Sequence, residues 1–200
     1  SGGWPQCLGP KRNGSTDEKI APWKQAPQAA WRVKVGEGHS SPVIAGGRVF
    51  LHTKVADKAQ EQVTAYDLSG TKLWSKTYDR GNFSSIFGNG PRSTPLVDGE
   101  RLYTFGVTGI LTCWQVKDGK QIWQVDTAKD FKPPALRFGT ACSPIVIDDN
   151  VLINVGAKGA SIVAFNKKTG KVAWKSQDDP PSYSSPIVFT QNKTKQGVFL

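Results

Sequence analysis

The chain has 200 residues, enough for one sizeable core, and its 38% hydrophobic and 21% charged content is that of an ordinary globular protein, not a disordered one. Gly 21, Pro 13 and Trp 7, with many Val, Thr and Ile, favour short strands and tight turns, and no apolar run approaches the ~20 residues a membrane-spanning helix needs. The formal charge of +10 admits an anionic partner, but Lys72, Lys117, Lys120, Lys167, Lys168 and Lys171 fall in or beside predicted hairpin turns, where solvated lysines guard strand edges, so nucleic acid is disfavoured.

In chain order, residues 1 to 39 read as a lead-in. It starts Ser-Gly-Gly in a chain without methionine, which suggests a processed or engineered start. Residues 28 to 35, QAAWRVKV, then read as one outer strand carrying Trp31, without the three strands that should precede it. From residue 40 a phrase repeats: SSPVIAGGRVFLHT at 40 to 53, STPLVDGERLYTFG at 93 to 106, CSPIVIDDNVLINVG at 142 to 156 and SSPIVFTQNKTKQGVFL at 184 to 200. The marker prolines Pro42, Pro95, Pro144 and Pro186 recur at 53, 49 and 42 residues, and Trp74, Trp123 and Trp174 at 49 and 51. The repeat defines units at 40 to 77, 93 to 125 and 142 to 175, with the first half of a further unit at 184 to 200.

Within the second unit the pattern predicts a short strand at Pro95 to Val97, a turn at Asp98-Gly99-Glu100, and a second strand at Arg101 to Phe105. A third strand runs Ile110 to Val116, and Lys117-Asp118-Gly119-Lys120 turns the chain into a fourth that carries Trp123. Four antiparallel strands repeated every ~45 residues predict an all-β propeller blade, because no single sheet of this kind buries both faces alone. A large indole at the end of each outer strand can fill the wedge between neighbouring blades while its N–H finds a backbone acceptor.

The phrases CWQVKDGKQIW, AFNKKTGKVAW and AYDLSGTKLW resemble the tryptophan-docking motif of the quinoprotein-like β-propellers, repeats first associated with pyrroloquinoline quinone. The opening WPQCLGPKRNG is also similar to the lead-in of secreted or periplasmic members, with Cys7 where a tryptophan is usual. That resemblance implies a ring of about seven or eight blades, of which this chain supplies about half. It also implies a periplasmic or secreted location, with the remaining blades or a partner protein completing the ring. The 28 to 35 strand would close the ring by joining the last blade. Cys7, Cys113 and Cys142 match neither a metal quartet nor a disulfide framework; three free thiols are expected, with one disulfide as the alternative.

Turns joining first to second and third to fourth strands are short, whereas the inter-blade links at 78 to 92, 126 to 142 and 176 to 183 are long and lie at the opposite face, together with the second-to-third connections. Binding residues collect on long ordered loops, so the working surface is placed there. The residues opening each innermost strand should converge on the axis, and they provide the candidate binding set: Ser40, Ser41, Arg92, Ser93, Thr94, Thr140, Ser143, Tyr183 and Ser184, with Arg137 from a link. Hydroxyls and arginines there could hold an anion or a planar polar cofactor; alternatively, Ser and Thr before Pro satisfy nearby backbone groups. Phe83, Asn89 and Phe138 are further loop candidates, and His39 and His52 show no partner pattern.

Three functions fit. The resemblance implies either a non-catalytic scaffold, similar to the propeller of the outer-membrane assembly machinery, or a pyrroloquinoline quinone- and calcium-dependent alcohol or sugar dehydrogenase. The latter needs converging carboxylate and amide ligands, whereas the inner-strand openings offer Ser, Thr, Arg and Cys and no carboxylate. The charge and loop aromatics admit a third reading, a surface for a glycan or anionic polymer. No serine triad, phosphate-cradling glycine loop or zinc pattern is present, so catalytic and cofactor-binding residues are left unassigned.

Overall fold

The computed structural model describes residues 3 to 19 and 21 to 200; Ser1 and Gly2, on which the reading of a processed start falls, lie outside them. Three four-stranded antiparallel sheets follow one another, each in simple meander order. The first holds β1 (Val43–Ala45), β2 (Arg48–Lys54), β3 (Gln60–Asp67) and β4 (Lys72–Asp79); the second holds β5 (Leu96–Asp98), β6 (Arg101–Phe105), β7 (Ile110–Gln115) and β8 (Gln121–Asp126). After a short helix, α1 (Thr127–Phe131), the third holds β9 (Ile145–Ile147), β10 (Asn150–Ala157), β11 (Ala160–Asn166) and β12 (Val172–Ser176), and the hairpin β13 (Ile187–Gln191) and β14 (Thr194–Val198) begins a further blade. Among the described residues no helix is long and apolar enough to cross a membrane.

The core lies between sheets, as stacked blades require. Phe50, Val63 and Trp74 of the first sheet pack with Leu102 and Trp114 of the second. Tyr103, Phe105 and Leu111 of the second pack with Val151, Ile153 and Phe165 of the third. The first two outer-strand indoles reach the next sheet: Trp74 Nε1 donates to Val116 O at 3.0 Å and Trp123 Nε1 to Lys167 O at 3.2 Å. The acceptors sit in third-to-fourth turns whose glycines leave room for the ring. A Cβ on Gly119 would lie 2.6 Å from Trp74, and one on Gly170 2.6 Å from Trp123. Both glycines have positive φ, so the turn and the contact demand the same residue.

One device the sequence did not announce recurs in all three sheets. The fourth strand skips a residue just before the tryptophan, so that Trp74 faces Ala65 while Lys72 faces Tyr66, with the same shift at Cys113/Trp114 and Ala164/Phe165. Such a bulge bends the strand and re-aims the indole toward the neighbouring sheet.

Two expectations are corrected. Residues 28 to 35 form no strand: among the described residues they enter no ladder, and the first backbone pairing after them is the single bridge of Glu37 with Lys54 of β2; Trp31 nevertheless docks as its counterparts do, donating to Leu68 O at 2.9 Å beside Gly70. The 126 to 142 link is not all loop. Asp126 caps α1 by accepting from Lys129 N at 3.0 Å, and Lys132 ends the helix in the left-handed region, a short capped turn that carries no periodic apolar signal. All three cysteines are free; burial pushes the Cys142 thiol up to about 11 and Cys113 up to about 12, which leaves both inert at neutral pH.

Candidate functional site

The inner-strand openings form a hydrogen-bonded stair. Ser41 N donates to Thr94 Oγ1 at 3.4 Å, Thr94 N to Ser143 Oγ at 3.0 Å, and Ser143 N to Ser185 Oγ at 2.9 Å. Thr94, Ser143 and Ser185, before the second, third and fourth marker prolines, thus use their hydroxyls to tie their blades to the preceding ones, where proline itself has no N–H to offer. Ser40 Oγ turns back on His52 O at 2.7 Å, Ser93 Oγ is buried without a partner, and Ser184 is exposed.

The open side of the inner strands is covered by the lead-in. Trp4 exchanges backbone hydrogen bonds with Ile44 of β1, and Val97 N of β5 donates to Pro5 O at 2.8 Å. Arg12 then reaches the start of β9 and β13, with Nη2 donating to Ser143 O at 2.9 Å, Nη1 to Pro144 O at 3.1 Å and Nε to Pro186 O at 2.5 Å. Burial lowers the pKa of this guanidinium, and backbone carbonyls take the place of water around it. Arg12 thus sits beside Ser143 of the candidate set, held by backbone carbonyls at the start of the third and fourth inner strands. Partners more than a hundred residues away in sequence gave no local signal for it.

The links present the second assembly. Phe87 meets Phe138 edge-on at 5.3 Å, and Phe138 meets Tyr183 at 5.6 Å, so three consecutive links touch through one aromatic chain. Tyr183 OH accepts from Phe138 N at 3.2 Å, and the Arg137 guanidinium lies 5.5 Å over the Phe138 ring. Arg80 and Arg92 both approach Phe83, at 5.8 and 5.4 Å, while Arg92 is anchored to Gly88 O and Gly90 O at 2.9 and 2.8 Å. Ile86 and Phe87 remain 86% and 58% exposed. Arg92, Arg137 and Tyr183 from the candidate set therefore come together here with Phe83 and Phe138. Thr140 instead lines an adjoining apolar cavity, its N–H bonded to Val107 O at 2.8 Å.

Beneath this surface lies a buried polar cluster. Glu61 on β3 is fully buried, accepts from Tyr78 OH and from Val107 N at 3.0 Å, and lies 3.1 Å from His52 Nε2. Burial alone would raise its carboxyl, but His52 and the hydrogen bonds from Tyr78 and Val107 hold it below the ordinary carboxylate value. Burial and the neighbouring Glu61 raise Tyr78 well above the usual phenol range. His52 thus has the partners that its sequence neighbourhood did not reveal. The bond to Val107 also joins the first sheet to the second just below the links.

A family profile described as outer membrane protein assembly factor BamB matches residues 26–131 and, in an overlapping pass, 59–195. The chain belongs to that family. It is 23% identical over 158 residues to the outer membrane protein assembly factor BamB of Shewanella oneidensis, covering 74% of this chain and 36% of that protein. The chain therefore spans little more than a third of that relative's length. Among solved structures, a europium-containing methanol dehydrogenase superposes with a TM-score of 0.54 at 17% identity, over 74% of this chain and 26% of the other. BamB from Moraxella catarrhalis gives 0.44 at 19% identity, over 66% and 34%. At these identities the structural likeness concerns the fold alone: both the chain and the dehydrogenase use propeller blades.

Proposed function

We propose that the chain is part of an extracytoplasmic binding or scaffold propeller that engages a protein partner through its long-loop face. The observation that carries this reading is the aromatic–arginine chain Phe87–Phe138–Tyr183 with Arg137, contributed by three successive links and bordered by exposed Ile86. Clustered aromatic and arginine side chains on a rigid scaffold are the composition of protein-binding hot spots. Membership of a family described by an outer-membrane assembly factor supports the same reading and a periplasmic location.

The alternative quinone- and calcium-dependent chemistry finds a poor fit in the donors present. The hydroxyls of Thr94, Ser143 and Ser185 already accept backbone N–H groups, and Arg12 occupies the neighbouring carbonyls. Among the described residues no cluster of three His, Cys, Asp or Glu side chains converges to hold a divalent ion.

The test is affinity capture from the native envelope with the wild-type chain and with an Ile86→Ser/Phe87→Ser/Arg137→Glu variant. The reading expects a protein partner held by the first and lost, with folding intact by circular dichroism, in the second. Equal retention by both would remove the loop face from the function.

A further inference from the structure

Two cavities on the loop face share one wall, the Phe83 ring. The first lies between the second and third sheets, encloses about 230 Å³, and is walled by Phe105, Val107, Leu136 and Pro181. It is smaller than the ~300 Å³ at which small-molecule sites begin, which suits a single apolar side chain. Thr108 also lines it, and its hydroxyl is buried and has no hydrogen-bond partner. The second is a wider trough of about 460 Å³ beside the first sheet, lined by Lys54, Lys58, Arg80, Asn82 and Ser84, with Asp57 as its one carboxylate. Three cations against one anion leave the trough positive.

Arg80 is the decisive feature. Its residue is only 3% exposed, and its Nε and Nη1 have no hydrogen-bond partner. Its nearest carboxylate is Glu61, at 4.0 Å, which already accepts from Tyr78 and Val107. A buried guanidinium with unfilled donors is costly, and a carboxylate entering the trough would supply the hydrogen-bond acceptors that Glu61, at 4.0 Å, does not.

We infer that the two cavities form one recognition site for an extended peptide segment, taking an apolar side chain in the slot and the side-chain carboxylate of an adjacent Asp or Glu in the trough, with Phe83 between them. This rests on the loop-face binding reading and specifies the partner's chemistry. The open trough lets a chain pass through it, which favours an internal acidic residue. Prolines 133, 134 and 181 stiffen the slot, so little ordering is needed on binding.

The experiment titrates the ¹⁵N-labelled chain with acetyl-Gly-Phe-Asp-Gly-amide, and with its Phe-Asn and Ala-Asp counterparts, in the millimolar range. The Phe-Asp peptide is expected to shift amides at Gly109 and Gly139 on the slot side and Ala59 and Asn82 on the trough side in one saturable process. Each counterpart should bind about tenfold more weakly. Ala135→Trp, an exposed position at the slot, should abolish the slot shifts. Lys54→Gln/Lys58→Gln should weaken only the Asp peptides. Absence of shifts, equal binding of the Phe-Asn peptide, or shifts confined to other surfaces would overturn the inference. If these peptides fail while the loop-face substitutions still abolish envelope capture, the two-cavity assignment falls and the scaffold reading stands; if capture is also indifferent, both fall.

Discussion

Gly170 and Gly159 separate two reasons for a glycine. Both have positive φ, but a Cβ on Gly170 would strike the Trp123 indole whereas one on Gly159 meets nothing within 4 Å. Gly159→Ala should therefore cost only backbone strain, about 1 kcal/mol, and Gly170→Ala about 2 kcal/mol or more, read from urea unfolding. Equal losses would mean that the indole contact contributes nothing. Glu61 supplies a second test at this scale. Its folded-state pKa is depressed, so its stabilisation is complete above the unfolded value of about 4.3 and is lost as pH falls through the lower folded value. Glu61→Gln leaves the buried Arg80 and His52 without their anion and should cost about 3 to 5 kcal/mol at neutral pH. The gap between wild type and variant should narrow below about pH 4 as both carry a neutral side chain. The tryptophans and turn glycines were legible in the sequence because they recur. Glu61 was not, since Gln-Glu-Gln on a strand looks solvent-facing and only the neighbouring sheet buries it.

The elements followed from sequence wherever a repeat set their phase. The second strand of the second unit, Arg101–Phe105, has the expected bounds; the first lies one residue later at both ends, and the third ends one residue sooner than expected. What local pattern did not carry was pairing over distance. The lead-in has no periodicity of its own and acquires its path from β1, β5 and the carbonyls around Arg12. Arg12→Met should then release this segment. The expected outcome is cleavage of the lead-in by trypsin or a nonspecific protease at rates well above wild type, with a global loss of about 3 kcal/mol. Unchanged protection of residues 4 to 12 would show that the backbone bonds to Ile44 and Val97 hold it without the guanidinium.

At the scale of the whole molecule, the indole contacts and the hydroxyl stair set the sheets side by side, and that arrangement puts the three long links on one face. Trp174 shows what the contacts accomplish: among the described residues no following turn covers it, and it stays 45% exposed where Trp74 and Trp123 are 9% and 8%. Turn lengths alone pointed to the loop face; the aromatic chain joining the links, and the use of the inner-strand hydroxyls between blades, needed the third dimension. The most direct measurement is site-specific photo-crosslinking in the native envelope, with a photoreactive phenylalanine analogue placed at Phe87 or Tyr183 on the loop face and at Leu68 or Thr169 on the short-turn face. Adducts to a protein partner from the first pair alone are predicted; adducts from the short-turn pair, with none from the links, would contradict the account.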